Sequence, residues 1–338
     1  MSAGGADLYK VTASGGQDRA TFSDYLALAR VDHWTKHIFI VPGIVLAYVL
    51  RDIPAQGLAA NILVGFLSAG LIASANYVMN EWLDRSHDAF HPTKSRRAAV
   101  VKALSPRVVA LQYLLLMATG LALAWMVSLL FFLAAVAFAV SGVTYNLPPL
   151  RSKDRLYLDV LSEAANNPIR LFLGWAMVDP ASMPPSSLIV AYWMGGAFLM
   201  AAKRLSEYRD FAAAGGTAAL GRYRRSFRYY TEERLLVSSF LYAMLSLFCI
   251  AVFLVKYRVE YVVALPFIVA VFTVYLALAL QRDSVAQRPE KLFREKLLMA
   301  ASAAAVVILG IVSFVDLPFV EWISEPHFVG LGEETVTR

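Results

Sequence analysis

Nine stretches of about 20 predominantly apolar residues recur along the chain, at roughly 34–50, 58–81, 107–126, 128–147, 156–178, 185–206, 235–255, 259–280 and 296–316. A helix needs about that length to cross a hydrocarbon core of ~30 Å. The composition agrees: 59% of the 338 residues are hydrophobic and only 17% are charged. The fold expected is an all-α polytopic membrane protein of nine transmembrane helices. Segments three and four abut near Met126 to Ser128 with almost no polar loop, which predicts a tight hairpin. Pro42 and Gly43 predict a kink in the first segment, and Pro168 predicts one in the fifth.

Basic residues set the orientation. They crowd the loops at 85–107, 151–155, 203–234 and 281–296, whereas the opposite connections hold only Arg51, Lys256 and Arg258. The positive-inside rule then places the N-terminus and the basic loops in the cytoplasm and the C-terminus outside. The net charge of +6 is thus a topological signal, and nucleic acid is not expected as a partner. A single cysteine, Cys249, excludes an internal disulfide or a cysteine metal site. The chain divides into a flexible cytoplasmic tail at 1–24, a membrane domain at 25–318 and an acidic outer tail at 319–338. No apolar leader precedes the first segment, and a homo-oligomer is compatible with this pattern.

Ionisable groups inside membrane helices are costly, so each one asks for a function. They fall in three places. At the end of the second segment Asn76, Asn80, Asp84 and Asp88 recur every four residues and form a ladder of oxygens along one helix face. Two carboxylates one turn apart suit Mg²⁺, which takes one or two carboxylates and fills its remaining positions with water and substrate phosphates. A solvated helix end would also carry such charges, but it leaves Asn76 and Asn80 unexplained. The basic run His91-Pro92-Thr93-Lys94-Ser95-Arg96-Arg97 follows directly, and Lys94 and Arg97 could bind phosphate oxygens beside the metal.

The fifth segment carries Asp159, Glu163, Asn166 and Arg170 within about 60° around a helix, with Lys153 just before it. Arg170 lies ~20 Å along that helix and must face the bundle interior; an internal salt bridge with Glu163 or with an acidic group on another helix would be the structural alternative. The sixth segment ends in Lys203, Arg204 and Glu207. These polar faces escape lipid only by turning toward one another. The expected result is a cytoplasm-facing cavity where a metal diphosphate meets a lipid. No nucleotide-binding glycine loop, zincin or serine-hydrolase motif is present.

The run Asn80-Glu81-x-x-Asp84-x-x-x-Asp88 resembles the first signature, NDxxDxxxD, of the UbiA superfamily of intramembrane transferases, with Glu81 in place of an aspartate. The second signature of that superfamily, a further DxxxD after the sixth segment, is replaced by Lys203-Arg204-x-x-Glu207. A narrower branch, the decaprenyl-phosphate phosphoribosyltransferases, is similar at Arg30-x-x-x-Trp34-x-Lys36, His91-Pro92-Thr93-Lys94, Lys153, Asp159, Arg170 and Lys203-Arg204. The resemblance implies a UbiA-like nine-helix bundle in a bacterial inner membrane. It also implies Mg²⁺-dependent transfer of a phosphoribosyl group from phosphoribosyl pyrophosphate to a polyprenyl phosphate or other lipid acceptor.

On that reading Asn80, Glu81, Asp84 and Asp88 hold the metal, and Lys94, Arg97, Lys153, Lys203 and Arg204 meet phosphate. Asp159 and Glu207 contact the ribose or its developing cation. Arg30, Lys36 and Arg170 hold the lipid phosphate, and Asn76 lines the substrate site. The alternative chemistry is prenyl transfer from an isoprenyl diphosphate to an aromatic or lipid acceptor. A transporter lined by the same charges is the rival from another class.

Overall fold

The computed structural model describes residues 18–51, 53–54, 57–89, 94–215, 221, 224–282, 284–287 and 289–324. The His91-Pro92-Thr93 motif, residues 1–17 and residues 325–338 lie outside them. Helix α1 (Phe22–Leu28) leads through a 3-10 segment (Val31–Ile40) into α2 (Val41–Arg51). Then come α3 (Leu58–Asp88), the short α4 (Ala98–Val101), α5 (Pro106–Val127) and α6 (Leu129–Asn146). The second half holds α7 (Leu158–Ala164), α8 (Asn166–Val178), α9 (Ser186–Gly215), α10 (Glu232–Tyr257), α11 (Leu265–Ala279), α12 (Lys296–Val312) and α13 (Pro318–Ser324). A two-residue parallel pairing of β1 (Asp18–Arg19) with β2 (Lys102–Ala103) ties the segment before α1 to the one before α5.

Among the described residues seven helical spans, not nine, are long and apolar enough to cross a membrane. The other two expected segments are present in altered form. The fifth is broken at Ala165 into α7 and α8. Pro168 has no N–H to offer the carbonyl of Ala164, and Asn166 Nδ2 instead donates to the Glu163 carbonyl at 3.1 Å. The ninth is α12, with 17 residues. The first apolar helical stretch begins at Phe22, where the Asp24 carboxylate accepts from the Thr21 N–H at 2.8 Å and starts the helix. Pro42 stands as the second residue of α2, where its missing N–H costs little, so the irregularity falls in the 3-10 turns before it.

The hairpin between α5 and α6 is a single residue. Ser128, in extended conformation, ends one helix and caps the next, its hydroxyl accepting from the Phe131 N–H at 3.0 Å. Outward positions on α10, including Val237, Phe240, Leu241, Met244 and Phe248, are exposed and apolar at helical spacing. That is the pattern of a face meeting lipid.

α2 runs alongside α8 in the same direction. Gly43 faces Leu171 and Trp175, Gly174 faces Ile40 and Ile44, and at the far end Arg51 Nε donates to Asp179 Oδ2 at 2.8 Å. A Cβ on Gly43 would stand 2.0 Å from the Leu171 carbonyl oxygen, a backbone atom that cannot swing aside. Gly43→Ala is therefore expected to destabilise the fold by about 1–3 kcal/mol, read as a lowered melting temperature in detergent. A variant as stable as the parent would show that the two helices can separate freely.

Candidate active site

The end of α3, the 94–97 turn, the 151–155 turn, α7, the end of α9 and the 224–230 segment converge at one end of the bundle. Asp84 is the centre of the first wall. Lys153 Nζ donates to its carboxylate at 2.7 Å, to Asn146 Oδ1 at 2.7 Å and to Asn80 Oδ1 at 3.1 Å. Arg151 Nη2 reaches Asp84 Oδ1 at 2.9 Å. Burial lowers the Lys153 ammonium to about 8 in spite of the raising influence of Asp84. One turn on, Asp88 takes a charged hydrogen bond from Arg97 Nη1 at 2.8 Å and has Lys94 Nζ at 3.9 Å.

The second wall is built on Arg204, whose side chain is only 4% exposed. It pairs with Glu163 at 2.7 Å and Glu207 at 3.0 Å, and lies 3.7 Å from Asp159. Tyr145 joins the walls: its hydroxyl donates to Glu163 Oε2 at 3.1 Å, while Lys153 Nζ stands 5.7 Å from its ring. Lys94 lies within the electrostatic reach of Arg224 and Glu207 as well as Asp88. Lys203 feels Glu207, Glu163 and Lys36. Asp84, Asp88, Lys94, Arg97, Lys153, Lys203, Arg204 and Glu207 thus come together.

Other expected site residues are placed differently. Asn76 is turned into the seam with α6, where its amide donates to the Phe138 carbonyl at 3.1 Å and it fills the space left by Gly142. Glu81, expected among the metal ligands, stands off the ladder, since the residue after Asn80 on a helix points ~100° away. It is buried between Arg30 Nη1 at 3.0 Å and Arg97 Nε at 3.5 Å. Asp159 is fully buried and saturated by Tyr230 at 2.7 Å, Ser226 at 3.0 Å and Arg224 at 3.2 Å. It anchors the 224–230 segment, so it positions Arg224 and does not present a free carboxylate. Arg30 is drawn to Glu81, and Lys36 Nζ lies 3.4 Å from the Tyr77 hydroxyl. Arg170 is buried at a distance from these pairs; no ion pair with Glu163 forms, because Glu163 belongs to Arg204.

Sequence reasoning passed over Tyr145, Asn146, Arg151 and Arg224 as site members. Tyr145 and Asn146 carried a readable signal, two polar residues at the end of an apolar span. Arg224 carried none, being one basic residue among several in its loop. Among the described residues the non-glycine positions with positive φ are Arg30 (46°), Arg151 (29°) and Tyr157 (61°), all at this end of the bundle. Each such conformation costs on the order of 1–3 kcal/mol and persists where the surroundings enforce it. Here two of the three aim a guanidinium at an acid of α3.

Among the described residues no three His, Cys, Asp or Glu side chains gather as an all-protein metal cage. The donor set present is Asp84 and Asp88 one turn apart with the Asn80 amide, surrounded by cations. That set fits Mg²⁺ arriving with a phosphorylated substrate, where most positions are filled by water and phosphate. Both acids are also paired with cations, Asp84 with Lys153 and Arg151 and Asp88 with Arg97.

Fold and site together describe a membrane-embedded helical bundle with a cluster of charged side chains at one end. Residues 38–304 match the UbiA prenyltransferase family, and the chain belongs to it. A UbiA homologue from Archaeoglobus fulgidus, in a structure bound to DMAPP and Mg²⁺, superimposes with a TM-score of 0.64 at 21% identity, over 85% of this chain and 99% of that one. A digeranylgeranylglyceryl phosphate synthase superimposes with a TM-score of 0.57 at 13% identity, over 86% of this chain and 96% of that one. By sequence the chain is 27% identical to nodulation protein NoeC of Azorhizobium caulinodans over 60% of its length and 62% of that protein. It is 29% identical to the uncharacterised protein y4nM of Sinorhizobium fredii over 48% of its length and 30% of that protein. The chain therefore spans less than two thirds of each of these curated relatives.

Proposed function

We propose that this protein is a Mg²⁺-dependent transferase that moves a phosphoribosyl group from phosphoribosyl pyrophosphate to a polyprenyl phosphate, with its cavity on the cytoplasmic face. The observation that carries the donor assignment is the second wall. A prenyl donor needs an apolar channel beside its diphosphate, whereas Glu163, Glu207, Lys203, Arg204 and Arg224 offer hydroxyl acceptors and phosphate-binding cations there. A phosphorylated sugar uses both.

In this mechanism Asp84, Asp88 and Asn80 would hold Mg²⁺, which when bound screens the pyrophosphate charge and eases its departure. Lys94, Arg97, Arg151 and Lys153 exchange their carboxylate partners for phosphate oxygens. The C1–O bond to pyrophosphate breaks and its electron pair leaves with pyrophosphate. A lone pair on an unprotonated oxygen of the lipid phosphate forms the new C1–O bond, so no general base is required. Glu207 and Glu163 stabilise positive charge developing on the ribose ring. Arg204 holds both carboxylates in place.

Prenyl transfer is the second reading, favoured by the UbiA homologue structures bound to DMAPP or to GPP with Mg²⁺. The two separate by ligand protection. Phosphoribosyl pyrophosphate with Mg²⁺ is expected to raise the melting temperature of the detergent-solubilised protein, and geranyl diphosphate with Mg²⁺ is not. The opposite pattern would transfer the assignment to prenyl chemistry. Chelating the metal with EDTA is expected to abolish both the protection and pyrophosphate release, and added Mg²⁺ to restore them; metal-independent turnover would refute the role given to Asp84 and Asp88.

A further inference from the structure

Glu81 is 3% exposed, and a single oxygen of its carboxylate takes two guanidinium groups. Arg30 Nη1 donates to Oε1 at 3.0 Å, and Arg97 Nε stands 3.5 Å from the same atom. Arg97 meets Asp88 Oδ2 with its other edge, Nη1, at 2.8 Å. Glu81 and Asp88 are seven residues apart on α3, which brings them within ~20° around the helix and ~10 Å along it. One planar fork thus spans two acids on one helix face.

The two cations come from neighbouring segments that are tied to each other. Asp18–Arg19 pairs with Lys102–Ala103, the Lys102 ammonium meets Asp18 at 3.0 Å, and the Tyr25 hydroxyl accepts from the Ser105 N–H at 2.8 Å. Leu28 and Ala29 close on Val78 of α3 and on Ala99 and Leu104. Arg97 opens α4, its carbonyl accepting from the Val100 N–H at 2.9 Å. Residues 18–30 therefore run as a strap over the 97–105 segment. Arg30, at φ 46°, is where that strap turns onto α3.

We propose that Glu81 is a positioning residue and not a metal ligand: backed by Arg30, it holds Arg97 by the Nε edge while the Nη edge passes from Asp88 to a phosphate oxygen of the donor. This rests on the transferase reading for the statement that Arg97 meets phosphate. The exchange frees Asp88 for Mg²⁺ in the same movement. Arg97 does not leave, because Glu81 keeps the other side of its guanidinium, and Arg30 balances the Glu81 charge when Arg97 turns to the anion. A buried carboxylate oxygen already held by two guanidinium groups has little left for a divalent cation, so Mg²⁺ goes to Asp84 and Asp88.

Inorganic pyrophosphate with Mg²⁺ is the probe, because phosphoribosyl and prenyl donors share it, and its binding to the full chain in detergent is measured by calorimetry. Glu81→Gln, which keeps the shape and loses the charge, is expected to weaken binding about tenfold, and Arg97→Met by at least as much. The double variant Glu81→Gln/Arg97→Met is expected to bind no worse than Arg97→Met alone, since Glu81 acts through Arg97. Arg30→Met reproduces part of the Glu81→Gln loss, and Arg30→Lys retains more of the binding. Losses that multiply in the double variant, as a metal ligand would give, or either single variant binding at the parent level, would overturn the assignment. Amide hydrogen exchange over 97–105 is followed in the same samples and reads the strap without any ligand. Arg30→Met and Glu81→Gln are expected to speed it about tenfold there and to leave α10 unchanged. Equal rates at 97–105, or the same acceleration in α10, would overturn the proposal even with binding lost. A parent protein that binds no pyrophosphate would defeat the transferase reading of the site, and the exchange rates alone would then decide whether Arg30 and Glu81 hold the strap.

Discussion

Asp84→Asn is expected to lower Mg²⁺-dependent pyrophosphate release by on the order of a hundredfold or more, the range found when one fixed electrostatic contact to a reacting group is lost. The carboxylate is the meeting point of Lys153, Arg151 and the Asn80 face of α3. An amide keeps its shape but loses the charge that draws a divalent cation. The fold is expected to survive, since Lys153 retains Asn146 and Asn80 as acceptors. Weakening the pairs costs about 1–3 kcal/mol. Turnover is measured as pyrophosphate formed per enzyme at saturating Mg²⁺, together with the melting temperature of the same sample. Parent-level turnover in a folded variant would remove Asp84 from the metal site.

Arg204→Met has the largest expected effect on stability. Its guanidinium serves Glu163 and Glu207 at once, and its removal takes from both buried carboxylates the ion pairs that hold them. Breaking such a buried arrangement costs about 3–5 kcal/mol. The loss is expected to be repaired by adding Glu163→Gln and Glu207→Gln, which remove the stranded charges. Activity is not expected to return in the triple variant, because the groups that meet the ribose are gone. A single Arg204→Met variant as stable as the parent would mean that the second wall is hydrated and loosely held.

The apolar segments were legible because lipid imposes a length and a composition that no loop imitates, and the Ser128 hairpin could be read from two abutting segments. The break at Ala165 was half legible. Pro168 announced an irregularity, but the packing around the break, with the Asn167 side chain against Gly196 of α9, lies outside any local pattern. The ladder was legible as a period of four, and its lower rungs Asn80, Asp84 and Asp88 face the cations Lys153 and Arg97. Asn76 keeps the period yet leaves the site, because Gly142 on another helix opens a niche for it. Glu81 was included by its place in a motif, although helix geometry turns it toward Arg30 and Arg97. Asp159 could not be read correctly from its own surroundings. Its partners Arg224, Ser226 and Tyr230 lie 65 to 71 residues away, beyond the reach of any local pattern.

The central claim is that this cavity transfers a phosphorylated sugar to a lipid. Purified protein is incubated with phosphoribosyl pyrophosphate labelled in the ribose, Mg²⁺ and decaprenyl phosphate, and the label entering the organic-solvent phase is counted against pyrophosphate released. The account predicts one labelled lipid per pyrophosphate, lost in Asp84→Asn and in EDTA. Label confined to the aqueous phase, with organic-soluble product appearing only when a prenyl diphosphate and an aromatic acceptor are supplied, would contradict it.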